Sequence, residues 1–470
     1  MEKITKLIIA FLYISEYISY ISSAKILKIP LSLTKKLKTL STNLIENIYQ
    51  STIYSNLSFG TPPQSIKFYL KMYYMSFFLP SKIINKTNSE TLKCSSDVEI
   101  DMDDDQIESG YYCTDYINIS GNKTNINFIL NGHKGDDYGS IGLLLPQNVE
   151  FNTYPFLRSL YQGKMINSLI WTMKFFKNIS LIESINSNQP IGELIIGDEP
   201  HAYENNDNLY PKNNYNKVPL IEESYKLFWD LDFDNIYISS PINNNNATYF
   251  KTTKRGEITP EIYFIVGPSE FFIEINSTFF KKYFENGICE EQIINPTRYF
   301  QYISCKKNSK FNIEDFPVLS FDHKRLKTTM NLTSKDLFVY DQKTNKYIFL
   351  IFSHKIGFTS WKLGIPFLKK HQFTFNEESK MIGYYISNVD DYEEIKHNSY
   401  GYSIIIVILI VIIVGICTLA MVLFKKGIIQ IPRKKRANEL LDDDNFIYEE
   451  NEKNKKENEG KINIETSLNA

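Results

Sequence analysis

Two groups of carboxylates stand where this 470-residue chain could do acid–base chemistry: the run Asp101-Met102-Asp103-Asp104-Asp105, and Glu257 with Glu261. A carboxylate pair can activate water when one member stays charged and the other keeps a proton. Oxygen ligands at Asp101 to Asp105 could also hold a cation, but the run lacks the spacing and the glycine of a calcium loop. It reads as a solvated loop. Other plans have fewer residues behind them. No G-x-S-x-G, H-E-x-x-H or phosphate-binding loop occurs. His133, His201, His354 and His371 read as surface or satisfied side chains. The cysteines show no C-x-x-C spacing, so neither a metal site nor a cofactor is expected. A net charge of -2 gives no reason to expect nucleic acid as a partner.

The elements that must position such groups are short. From about residue 50 to 390, alternating or apolar runs are separated by Gly, Pro and Asn turns, as in Tyr54 to Phe59, Ile66 to Leu70, Glu193 to Ile196 and Tyr347 to Ile351. This pattern predicts an all-β architecture. The 32 Tyr and 32 Phe agree with it, since aromatic side chains suit strands. Helices are expected at Pro155 to Gln162 and Ser269 to Glu285. The length allows two lobes with accessory segments.

Both ends read as membrane-related signals. Lys3 and Lys6 precede the apolar run Leu7 to Ile14, and Ser22, Ser23 and Ala24 are small, so residues 1–24 read as a signal peptide. Ile404 to Phe424 is uncharged; as a helix its 21 residues rise about 30 Å, the thickness of a hydrocarbon core. Lys425, Lys426, Arg433, Lys434, Lys435 and Arg436 follow, which places the N-terminal bulk outside or in the lumen. Residues 391–403 form a juxtamembrane linker, and 425–470 a polar cytoplasmic tail. Cys94, Cys113, Cys289 and Cys305 allow three pairings; local pairing would join Cys94 to Cys113 and Cys289 to Cys305, each bridge worth ~3 kcal/mol. Asn56, Asn85, Asn118, Asn122, Asn178, Asn246, Asn276 and Asn331 each begin an N-x-S/T triplet, candidates for glycosylation.

Tyr54 to Gln64, containing Gly60-Thr61-Pro62-Pro63, resembles the opening strand and turn of the pepsin-like (A1 family) aspartic proteases. Leu79-Pro80-Ser81, Tyr138 to Leu143, Pro155 to Ile166, Gly192 to Tyr203, Val218-Pro219-Leu220 with Trp229, Gly267-Pro268, Phe316 to Phe321, Leu363 to Lys369 and Lys380 to Tyr384 follow in family order. Lys28 to Leu31 with Lys35, Lys36 and Lys38 resembles a basic pro-segment. The resemblance covers about three-quarters of the chain. It implies an all-β, bilobal pepsin-like fold, plus one C-terminal transmembrane helix, with lobes at 50–217 and 218–390 after a pro-segment-like region at 25–49.

That family hydrolyses peptides with two aspartates, each in a D-T-G loop. Here the resemblance places Lys71 at the first aspartate position and Thr259 at the second, with Tyr73 and Glu261 in place of the glycines and Asp103 at the flap position. Glu257 and Glu261 flank Thr259. A lone carboxylate beside Lys71 would form an ion pair rather than a proton-sharing dyad.

The resemblance therefore implies a type I membrane protein of the secretory pathway or cell surface, with an inactive protease domain that binds a peptide or protein in or near the cleft between lobes. Two alternatives stand beside it: an active membrane-tethered endopeptidase with a divergent site, and a secretory-pathway trafficking receptor directed by its tail. Without partner carboxylates the pro-segment-like region is expected to stay attached and act structurally.

Overall fold

The computed structural model describes residues 25–35, 44–84, 89–102, 106–131, 138–145, 155–176, 179, 189–204, 210–223, 226–240, 247–251, 254–294, 299–308 and 310–386. The expected signal peptide, His133, Asp103, and the expected linker, span at 404–424 and tail lie outside the described residues. No helix among those described is long and apolar enough to cross a membrane.

Alternation of apolar and polar residues builds about half of the described chain into strands. In its first part these are β1 (Leu27–Lys35), β2 (Ser51–Phe59), β3 (Gln64–Lys71), β4 (Phe77–Pro80), β5 (Lys93–Met102), β6 (Gln106–Ile119), β7 (Asn122–Asn131), β8 (Gly139–Gly142), β9 (Ile170–Phe175), β10 (Gly192–Ile196) and β11 (Tyr215–Pro219). Strands β2, β3, β8, β4, β7 and β6 pair in that order, and β2 pairs again with β6 at Ser58↔Asn118, closing a six-stranded barrel. Closure leaves no free edge on these strands. The barrel is filled by inward side chains such as Phe59, Phe68, Phe77 and Phe128, all essentially inaccessible. Phe59 meets Phe128 edge-on at 5.0 Å, and Phe156 of α1 (Phe156–Gln162) packs 5.1 Å from Phe77.

The second part adds β12 (Arg255–Ile258), β13 (Ile265–Val266), β14 (Cys289–Ile293), β15 (Phe300–Lys306), β16 (Ile351–His354) and β17 (Trp361–Leu363). These belong to a nine-stranded sheet packed around Phe271, Phe280, Phe316, Phe349 and Trp361. The helix expected at Ser269 to Glu285 is present, with one π-type turn at Asn276–Phe280.

The chain then returns to the first sheet. Strands β18 (Phe373–Asn376) and β19 (Met381–Tyr385) pair with β9 and β11. Phe375 stacks on Trp171 at 4.0 Å, and Trp229 meets both edge-on. Strand β1 sits between β10 and β2, with Leu27, Ile29, Leu31 and Leu33 buried. The pro-segment-like residues 27–35 are thus a paired interior strand of the sheet.

The local cysteine pairing is found: Cys94 bridges Cys113 and Cys289 bridges Cys305, each between directly opposed residues of an antiparallel pair. Among the candidate glycosylation sites, Asn56, Asn122 and Asn331 are exposed while Asn118 and Asn276 are half-buried. Asn85, Asn178 and Asn246 lie outside the described residues.

Candidate functional site

The two parts repeat one local arrangement. In the first, β8 lies between β3 and β4, parallel to β3 and antiparallel to β4, and β4 is parallel to β7. In the second, β17 lies between β12 and β13, parallel to β12 and antiparallel to β13, and β13 is parallel to β16. Each arrangement encloses one loop. Lys71 begins the first and Thr259 the second.

Glycine is required beside both loops. A Cβ on Gly142 would fall 2.3 Å from the Tyr74 carbonyl oxygen and 2.6 Å from that of Ser76. A Cβ on Gly364 would fall 2.0 Å from the Phe264 oxygen and 2.7 Å from that of Ile262. In each loop the two carbonyls lie three and five residues further on, Tyr74 and Ser76 after Lys71, Ile262 and Phe264 after Thr259, so Lys71 and Thr259 occupy matching positions in the repeat.

The loops are joined to each other by side chains. Glu261, 7 % exposed, accepts the Met72 amide at Oε1, 2.5 Å away. The Tyr73 hydroxyl lies 3.2 Å from Thr259 Oγ1 and 3.3 Å from Glu257 Oε2. Thr259 donates its own hydroxyl to the Glu257 carbonyl at 3.2 Å. Glu257 also accepts Ser360 Oγ at 2.5 Å and Lys362 Nζ at 2.9 Å. The Lys362 ammonium sits 5.7 Å from the Tyr73 ring and 5.1 Å from the Phe358 ring, a cation–π geometry for each. Behind the loops, Trp229 Nε1 donates to the Leu143 carbonyl at 2.6 Å.

Burial opposes charge on Glu257, yet the Lys362 ammonium, the Ser360 hydroxyl and Arg255 together hold its carboxyl below the usual range. Burial, reinforced by Glu261 and Glu257, pushes the Tyr73 phenol well above its ordinary value. The centre therefore contains one carboxylate fixed in its charged form and a phenol fixed in its neutral form. Glu257 is engaged by donors on both oxygens, and Glu261 accepts the Met72 amide at Oε1.

The cation that pairs with Glu257 is Lys362. Lys71 instead directs its ammonium towards the Tyr74 ring, 5.9 Å away. Lys362 and Ser360 were not singled out by the sequence. Their only signal is position, just before the Leu363-Gly364 segment. Three of the singled-out histidines are described and each is occupied: His201 Nδ1 contacts the Tyr385 hydroxyl at 2.6 Å, His371 contacts the Tyr384 hydroxyl and the Asn331 carbonyl, and His354 Nδ1 accepts the Ile356 amide. Among the described residues no three His, Cys, Asp or Glu side chains converge as a metal-binding group would.

No protein-family model and no curated protein matches this chain.

Proposed function

We propose that the chain is a single-span type I membrane protein whose ectodomain has a pepsin-like bilobal fold, has lost the catalytic pair, and works by binding a peptide or protein segment. The repeated loop arrangement supports the fold, with Lys71 and Thr259 at the two matching positions. The two disulfides fit an extracellular or lumenal setting.

The observation that carries the functional reading is the position of Tyr73. Its hydroxyl joins the two loops where an aspartic protease needs a shared proton and a water. Neither Lys71 nor Thr259 can act as a carboxylic acid. Glu257 is held charged by Lys362, so it does not offer the protonated partner that carbonyl polarisation requires. An extended ligand would gain main-chain hydrogen bonds along strand edges rather than be cut.

The test is peptide hydrolysis by the full chain in detergent at acidic pH, against a pooled library, with a pepstatin-type inhibitor and a Glu257→Gln, Glu261→Gln double variant. No cleavage above background is expected, and peptides retained by the protein would identify the ligand class. Inhibitor-sensitive cleavage lost in the double variant would mean that displaced acids have rebuilt a site, and would overturn the proposal.

A further inference from the structure

The two disulfides differ in what a thiol from solution can reach. Cys289 and Cys305 are 4 % and 0 % exposed. Their bond joins β14 to β15, and β15 is paired on its other side to Lys346–Phe349 and to β16. Cys94 is exposed, while its partner Cys113 is 3 % exposed. Cys94 lies at the start of β5, which ends the thirteen-stranded sheet and pairs only with β6 among the described residues.

The ladder is also irregular next to this bond. Cys94 opposes Cys113 and Asp97 opposes Tyr111, so β5 carries one extra residue between the two pairs. Such a bulge interrupts the regular hydrogen bonding and leaves a residue unpaired. Ser95 spans part of the gap by donating its hydroxyl to the Tyr112 carbonyl at 3.2 Å. On the short side of the bulge, only Lys93↔Thr114 and the disulfide itself hold β5 in register.

We propose that Cys94–Cys113 is a thiol-exchange site that fixes the start of edge strand β5 to β6, and that a small-molecule thiol opens it while Cys289–Cys305 stays closed. An external thiolate attacks Cys94 Sγ. The Sγ–Sγ bond breaks, its electron pair leaves on Cys113 Sγ, and that sulfur takes up a proton. A second thiol then attacks the external sulfur of the mixed disulfide and releases Cys94 as a thiol. Two external thiols become one disulfide, and the protein bond gains two electrons and two protons. Exposure of Cys94, against burial of both Cys289 and Cys305, makes the exchange selective, because access governs its rate. This inference rests on exposure and strand position and does not depend on whether the ectodomain is pepsin-like.

The experiment titrates the full chain in detergent with reduced glutathione, blocks free thiols by alkylation, and maps them by mass spectrometry. Cys94 and Cys113 should be labelled at a thiol concentration at least about tenfold below that needed for Cys289 and Cys305. Hydrogen exchange should rise in residues 93–102 and 106–114 and stay unchanged in 289–306. The Cys94→Ser, Cys113→Ala double variant should show the same raised exchange without any thiol. Joint labelling of the four disulfide cysteines, or earlier labelling of Cys289 and Cys305, would show that reduction follows general unfolding and would overturn the proposal. A double variant with the exchange pattern of the oxidised protein would overturn it equally, because the bond would then not be what holds β5.

Discussion

The Tyr73 hydroxyl stands 3.2 Å from the Thr259 hydroxyl oxygen, so a side chain from the first loop touches the starting residue of the second. This contact, the Glu257 oxygen 3.3 Å from the same phenol, and the Glu261–Met72 hydrogen bond tie two chain regions more than 180 residues apart. Removing the phenolic oxygen with Tyr73→Phe should cost about 1 kcal/mol, the usual worth of such a bond. Urea unfolding should show a lower midpoint with an unchanged slope. An unchanged midpoint would mean that the ring, and not the hydroxyl, does the joining.

Lys362→Met should make stability depend on pH in a readable way. With Lys362 present, the folded Glu257 carboxyl titrates below its ordinary value of 4.5. Its contribution is therefore complete above that pH and lost as pH falls through the lower folded value. Without the lysine, burial is still opposed by the Ser360 hydroxyl and Arg255, but less strongly, so the carboxylate contributes less. The variant should be less stable at pH 7 by on the order of 1 kcal/mol, the scale for a half-buried pair. The gap should close as pH drops towards 3. A gap independent of pH would show that Lys362 acts through packing alone.

Glu377 behaves in the opposite sense. Burial pushes its carboxyl up to about 8, against the pull of the Arg158 guanidinium, and its Oε2 has no hydrogen-bond partner among the described residues. An acid raised in the fold binds a proton that the unfolded chain has released. Stability should therefore fall as pH rises from about 4.5 to about 8, by up to about 1.4 kcal/mol per pH unit. Glu377→Gln should flatten that fall, read from melting temperatures at pH 5 and pH 8. Parallel curves for the two proteins would contradict it.

Strand β1 should remain in the mature protein. Its four inward side chains are buried and it pairs on both sides, so its loss would split the sheet between β10 and β2. Mass spectrometry should place the mature N-terminus near Lys25; a start near Tyr49 would refute this. Leu31→Ala, at a fully buried position, should cost about 2–5 kcal/mol.

Local patterns were readable in the sequence where a few neighbouring residues decide the outcome. The alternation in Tyr54 to Phe59 gave β2, the apolar spacing in Pro155 to Gln162 gave α1, and short cysteine separations favoured hairpin bridges. Lys71 and Thr259 were picked out only through the resemblance, by counting from the Gly60-Thr61-Pro62 and Gly267-Pro268 segments. What escaped notice depends on long-range pairing. Lys362 reaches Glu257 from 105 positions away, and nothing local distinguishes it from the other lysines. Lys28 to Lys35 reads as a basic segment, because its burial depends on two strands that exist only once the sheet has formed. The return of β18 and β19 to the first sheet is likewise written in partners, not in their own residues.

That return has a mechanical consequence. The described chain leaves through β19, which is hydrogen-bonded along its length to β18 on one side and β11 on the other, and Ile386 adds a bond to the Asn214 carbonyl. A pull directed along β19 would load two ladders in shear at once. Shear requires several hydrogen bonds to fail together, whereas a pull across a hairpin would open them one by one. The exit strand thus lets the fold bear tension from its C-terminal side without fraying from its last residue.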